Sequence, residues 1–322
     1  MLSSFGLEER MRNGQIALRH THDMRRGSIQ ISSLAGGFDL YHTLESGQSY
    51  LWRRLDGEMY SGTPSGQGHW YETVADGTYL RVRQLDGRLE WMGQNGSEAI
   101  VRRLLRLDDD LSKVYEELPS EPVIEAAVDQ YHGMRLVRDP VFPCLISFIC
   151  SAQMRVERIY AMQNALAKAY GERVEVDGQT VRAFPRPAQL ARATESDLRD
   201  LGIGYRAPYV CETARMVADG NDPMAAKDLS YEDAREFLTQ YPGVGNKVAD
   251  CVLLFSLGYL EAVPLDTWIR SAIADCFPDC ACGNYAETSR AIRDRFGGDV
   301  AGYAQTYVFH YLRNGGRSPG DA

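Results

Sequence analysis

The chain has 322 residues, 44% hydrophobic and 25% charged, an ordinary globular balance with room for two or three cored domains. No apolar run approaches the ~18 residues that a membrane span needs, and the charged stretch MLSSFGLEERMRNGQIALRHTHDMRRG lacks the apolar centre of a secretory signal. The formal charge of −9 argues on its face against a nucleic-acid partner, but it describes the average surface and leaves room for a local basic track. Only four of the 35 basic residues are lysine, against 44 acidic residues, a balance that resembles proteins of a high-salt cytoplasm. In such a medium hydrogen bonds to phosphate count for more than long-range attraction.

Residues 1–27 read as a loosely ordered extension. From residue 28 to 95 the segments SIQIS, HTLESGQSYLWRRL, HWYETVADG, TYLRVRQL and RLEWMG are rich in β-branched and aromatic residues, and the turns LDGE, ADGT and LDGR separate them. This predicts an antiparallel sheet of about five strands in a domain of residues 28–118 with flanking helices. At Ser97, a plausible N-cap, the pattern becomes helical, and SEAIVRRLLRL, DPVFPCLISFIC, VERIYAMQNALAKAYG, RAPYVCETARMVADG and SYEDAREFLTQ follow. LDTWIRSAIADCF, NYAETSRAIRDRFG and GDVAGYAQTYVFHYLRN complete a helical region expected over 119–313, ahead of a flexible tail, 314–322. LISFIC is apolar nearly all round and should be central. The predicted class is α+β, a small sheet domain followed by a helical body.

Seven cysteines, with Cys144, Cys150 and Cys251 inside apolar runs, suit reduced packed thiols of a cytoplasm. Cys276, Cys280 and Cys282 lack the fourth neighbour that an iron–sulfur site needs, and read as incidental residues of a surface loop. No metal or cofactor is expected.

The helix SYEDAREFLTQ, the turn YPGVG and the helix NKVADCVLLFSLG form a tight helical pair over residues 230–258. Gly243, Val244 and Gly245 make the turn; glycine permits φ > 0 and close approach of a foreign backbone. The free N–H groups that open the second helix make a phosphate seat, although PGVG alone fits an ordinary connection as well. Lys247 stands in that helix's first turn, where the partial positive end disfavours an ammonium and burial would push its pKa down further. An uncharged amine there is a nucleophile able to form a Schiff base; for pairing with phosphate this chain's habit is arginine. Nineteen residues on, in Pro264-Leu265-Asp266, the aspartate precedes an apolar-periodic helix, so its carboxylate should cap free N–H groups and stay ionised with a lowered pKa. Beside Lys247 it could stabilise a cationic sugar, while tending to raise the lysine's own pKa; a plain N-cap is the alternative.

The turn, the lysine and the downstream Pro-x-Asp resemble the helix-hairpin-helix Gly/Pro/Asp superfamily of base-excision DNA glycosylases, closest to the archaeal and eukaryotic type of 8-oxoguanine DNA glycosylase, over about residues 37–313. The resemblance implies a bifunctional glycosylase/AP lyase acting on duplex DNA. Lys247 attacks C1′, the base leaves, the imine permits β-elimination, and Asp266 supports the developing charge. It further implies that Cys251, on Lys247's helix face, lies against the lesion as one end of a dipole with the lysine; core packing is the other reading. SGQSYLW matches the segment whose glycine carbonyl accepts the N7–H of the oxidised base, which assigns Gly47 to discrimination, where a strand irregularity is the alternative. AGYAQTYVFHYLR assigns Gln305 to the base edge and Phe309 to stacking, with core packing again open for Phe309. LGIGYRAPYV assigns Tyr205 to wedging the duplex and Arg206 to the orphaned cytosine, roles that base flipping requires. In ICSAQMRVERI, Arg158 matches a cytosine-attending arginine, but Gln153 replaces an asparagine, which puts strictness for cytosine in doubt. Trp268 replaces a histidine near a phosphate. The competing readings are an endonuclease III-type enzyme for oxidised pyrimidines, whose clustered cysteines are absent, and a non-catalytic DNA-binding hairpin. The expected partner is duplex DNA, bound by a monomer without a membrane; the hairpin carbonyls could hold a monovalent cation.

Overall fold

The computed structural model describes residues 18–20, 24–61 and 68–316. Five strands form an antiparallel sheet in the order β2-β6-β5-β4-β3: β2 (Arg25–Gln30), β3 (Arg53–Arg54), β4 (Tyr71–Ala75), β5 (Thr78–Leu85) and β6 (Arg88–Gly93). A second sheet pairs β1 (Leu18–His20) in parallel with β7 (Arg173–Val176), which forms a hairpin with β8 (Gln179–Arg182). Three of the hairpins turn on Asp-Gly with both residues at positive φ: Asp76-Gly77 (50°, 75°), Asp86-Gly87 (50°, 72°) and Asp177-Gly178 (50°, 75°). That backbone matches the twist of the flanking strands, which is why two residues suffice.

The helices are α1 (Leu40–Glu45), α2 (Ser97–Leu104), α3 (Leu111–Glu117), α4 (Pro122–Gln130), α5 (Val141–Ile149), α6 (Val156–Tyr170), α7 (Pro187–Leu190), α8 (Glu195–Asp200), α9 (Ala207–Ala218), α10 (Tyr231–Thr239), α11 (Asn246–Val252), α12 (Thr267–Cys276), α13 (Tyr285–Arg295) and α14 (Ala301–Arg313). A π turn, Leu253–Leu257, extends α11 and ends at Gly258, at φ 91°. The α+β architecture is as expected.

Several expectations need correction. HTLESGQSYLWRRL is not one strand: Asp39 accepts the His42 N–H at 2.8 Å and starts α1, and only Arg53–Arg54 is strand. Leu40, Thr43 and Leu44 are buried at helical spacing, and that burial overrides the segment's strand propensity. The hairpin RVEVDGQTVR was not expected inside the helical body, although its alternation and Asp-Gly turn signalled it. Gly96, at φ 85°, caps α2 in place of Ser97. Leu18–His20 and Arg25–Gly27, within the stretch expected to be loose, are strand; residues 1–17 and 21–23, and 317–322 of the expected tail, lie outside the described residues.

One apolar cluster runs from the sheet (Ile29, Leu80, Val82) through Leu104 into the helices (Leu145, Val210, Leu254). α5 lies inside it with seven of its nine residues buried, the central helix that its apolar sequence predicts. A smaller cluster (Val123, Ile269, Phe277, Phe296, Val308) joins α4, α12, α13 and α14. The ends of α5, α11 and α14 come together between the two clusters, and a cleft opens there.

Candidate active site

The cleft has a volume of about 900 Å³ and is lined by Ser46–Gln48, the α5–α6 connection, the start of α11, Pro264–Trp268 and the last turns of α14. Lys247 is half-buried in it. Its Nζ donates to Ser151 Oγ at 3.1 Å and lies 5.3 Å from the centre of the Phe148 ring. The lysine thus stands in a mixed apolar and polar wall, with its stem emerging from the first turn of α11.

Asp266 lines the same cleft and caps α12, its Oδ1 accepting the Ile269 N–H at 2.8 Å. The cap is as expected, but the direction of the pKa is not. Burial pushes the Asp266 carboxyl above its ordinary value, and the Lys247 charge and the Ile269 and Trp268 amides only partly pull it back. Desolvation of a charge outweighs capping here. Cys251 is buried beside Lys247, and burial pushes its thiol up to about 12, again against a lowering pull from the lysine. At neutral pH it is therefore a thiol.

The expected lesion-facing residues converge on this cleft. Gly47, Gln305 and Phe309 all line it. Gly47 has φ 94°, and a Cβ there would meet Val156 Cγ1 at 2.9 Å and Arg313 Nη1 at 3.0 Å, so glycine is required for both backbone and space. Gln305 is buried, its Oε1 accepting from Thr306 Oγ1 at 3.1 Å.

Of the four opposite-strand candidates, only Gln153 lines the cleft. Gln153 is exposed with φ 53° and lines the cleft mouth with the exposed Trp268. Tyr205 is 55% exposed. Arg206, by contrast, is buried: its guanidinium lies 4.3 Å from the centre of the Tyr205 ring and donates to the Ala152 carbonyl. Here it braces the turn that carries Gln153. Arg158 is exposed on α6 outside the cleft lining, its Nη2 beside Gly202 and hence near the Tyr205 segment.

At the hairpin, Gly243 has φ 79°, and a Cβ there would strike the Tyr209 ring at 2.8 Å. Gly245 differs from expectation: its φ is −94°, accessible to any residue, and its value lies in the open space above it. Val244 is buried. Both glycines are exposed, next to the unpaired amides of the first turn of α11.

Three contributors escaped the sequence reading. Ser151 and Phe148, around the lysine, sit in a run that signals only burial. Arg313 donates to the Ser46 carbonyl at 2.9 Å and the Glu45 carbonyl at 2.9 Å, pinning the turn that holds Gly47; its position four residues after Phe309 was the available clue. Cys280 is buried, Cys276 half-buried and Cys282 exposed. Among the described residues no group of three His, Cys, Asp or Glu side chains could hold a metal ion.

A small antiparallel sheet, a helical body and a lysine and an aspartate facing one cleft below a Gly-rich hairpin define a base-excision DNA glycosylase. Residues 29–145 match the family model described as 8-oxoguanine DNA glycosylase, N-terminal domain, and residues 146–293 that of the HhH-GPD superfamily base excision DNA repair protein. The chain is 31% identical over 309 residues to a probable N-glycosylase/DNA lyase of Methanothermobacter thermautotrophicus, covering 87% of this chain and 95% of that one. It is 35% identical over 257 residues to the N-glycosylase/DNA lyase of Saccharomyces cerevisiae, covering 71% and 66%. The Clostridium acetobutylicum 8-oxoguanine glycosylase/lyase, solved with double-stranded DNA containing cytosine opposite 8-oxoG, superimposes with a TM-score of 0.76 at 28% identity, covering 86% of this chain and 92% of that one. The chain belongs to the 8-oxoguanine DNA glycosylase family of N-glycosylase/DNA lyases.

Proposed function

We propose that this enzyme removes 8-oxoguanine from duplex DNA and then cuts the strand, with Lys247 as the nucleophile. The observation that carries this is the convergence of the Lys247 amine and the Asp266 carboxylate on one cleft with Gly47, Cys251, Gln305 and Phe309. Nζ attacks C1′ of the damaged nucleotide as the C1′–N bond breaks, and the base leaves with the bonding electrons and takes up a proton. Loss of an Nζ proton and opening of the sugar ring give an imine. Loss of a C2′ proton then expels the 3′-phosphate by β-elimination. Asp266, held at the start of α12, offers negative charge to the sugar as it becomes cationic, an electrostatic contribution that needs no reorganisation during the step. Extrusion of the base costs a few kcal/mol of stacking, and the exposed Tyr205 ring would fill the vacated stack. Gly243 and Gly245 leave the hairpin open to a phosphate at the first turn of α11. The partner is duplex DNA, bound by a monomer in the cytoplasm, and the chemistry runs on these side chains without a cofactor.

Borohydride reduction during turnover tests this. With 8-oxoguanine opposite cytosine in a duplex, wild type should form a covalent adduct whose mass maps to the peptide containing Lys247. An active enzyme that forms no adduct would remove the lyase step. A larger yield on thymine glycol than on 8-oxoguanine would move the substrate to oxidised pyrimidines.

A further inference from the structure

Asp250 is fully buried in the interior of α11, three residues after Lys247. A carboxylate there is costly: removing one from water costs several kcal/mol unless partners replace the lost solvation, and an apolar side chain of similar size carries no such cost. Two partners are present. Oδ1 accepts from the Tyr231 hydroxyl of α10 at 2.7 Å, and Oδ2 accepts from the Tyr285 hydroxyl of α13 at 2.6 Å. Tyr285 does a second job. Its oxygen accepts the backbone N–H of Leu265 at 3.2 Å, and Leu265 immediately precedes Asp266. A continuous chain of hydrogen bonds therefore runs from the helix carrying Lys247 to the segment carrying Asp266, through the Asp250 carboxylate and the Tyr285 hydroxyl, neither of which lines the cleft.

We propose that Asp250 is a positioning residue for the excision reaction, its carboxylate and the Tyr285 hydroxyl fixing the Asp266 segment relative to the Lys247 helix. This rests on the reading of Lys247 and Asp266 as the reacting pair. The two groups stand on different elements, and the first turn of α12 alone fixes Asp266 only relative to its own helix. The charged and titratable groups around the link are Arg235 on α10 and Arg293 on α13, at 5.1 and 4.2 Å from the centre of the Tyr231 ring, Arg270 on α12, at 5.8 Å from that of Tyr285, and Cys251 on α11. Burial pushes the Asp250 carboxyl up to about 6 against the lowering pull of both tyrosines and of Arg235 and Arg293. At neutral pH it is ionised and accepts from both hydroxyls. The tyrosines divide the function: Tyr231 joins the two helices of the hairpin, whereas Tyr285 alone continues to the Asp266 segment.

The test is single-turnover excision on a duplex with 8-oxoguanine opposite cytosine, together with the Kd for the same duplex carrying a non-cleavable abasic analogue. Asp250→Asn keeps the shape but turns one acceptor into a donor, so one tyrosine loses its partner. The expected result is a rate about tenfold lower or less still, with Kd within twofold of wild type. Tyr285→Phe should fall by a similar factor, the double variant should fall no further than the lower single, and Tyr231→Phe should keep a rate within about threefold of wild type. A purely structural role would instead lower the melting temperature in both tyrosine variants without separating their rates, and that result overturns the proposal. So does a wild-type rate in folded Tyr285→Phe, which answers the question even where Asp250→Asn does not fold. A wild type that neither excises the base nor forms the borohydride adduct overturns the parent reading and this inference with it.

Discussion

On the floor of the cleft Lys247, Cys251 and Gln305 stand on helices packed into the core, whereas at its rim Gln153 and Trp268 stand in water on a loop and a helix start. The floor is the place for chemistry, since a side chain held by a packed helix keeps its geometry. In the proposed reaction the rim would meet the second strand, since exposed residues rearrange readily when a partner arrives. Arg206 fits neither description: it is buried beneath the rim, bonded to Ala152, and shapes the loop from below.

The sharpest way to break this contrast is to alter the floor. Lys247→Gln should lower excision by about 10³-fold or more and abolish the borohydride adduct, while circular dichroism shows an unchanged fold. Asp266→Asn should lower the single-turnover rate by about 10²-fold with little change in duplex affinity. Gly47→Ala forces a side chain into φ 94° and against Val156. It should cost about 1–3 kcal/mol of stability, read as a lower melting temperature, and reduce 8-oxoguanine excision by about tenfold.

Beneath the floor, Asp139 is buried just before α5, and burial pushes its carboxyl up to about 7 from 3.8. A raised folded pKa means stability that is complete below about pH 4 and is lost as pH rises through about 7. Wild type should therefore melt roughly a few °C lower at pH 8 than at pH 5, and Asp139→Asn should flatten that slope in a thermal scan. The smallest effect belongs to the rim. The backbone of Gln153, at φ 53°, suits asparagine better than glutamine. Gln153→Asn should leave the rate opposite cytosine within about twofold and increase discrimination against the other three bases about threefold. Unchanged relative rates would remove Gln153 from opposite-base selection.

The hairpin, Lys247 and Asp266 were legible because turn glycines, a helix start and an N-cap are local signals that adjacent residues write. The sheet was legible wherever Asp-Gly marked its turns. Segment 42–55 was misread because its propensities favour strand, and only the burial of Leu40 and Leu44 against distant residues selects helix. The pKa of Asp266 runs opposite to expectation for a related reason: sequence reports its capping amides but not the depth of burial, and burial wins. The link from Asp250 to Leu265 was invisible because Tyr231 and Tyr285 gather from separate helices.

The apolar cluster that begins at Ile29 and ends at Leu254 has one more implication. The N-terminal third cannot be shed to leave a minimal catalytic fragment. α5, whose end reaches the lysine, would lose the oily bed on one side of it, and a shortened gene would have to repaint that surface with polar residues before its product stayed in solution.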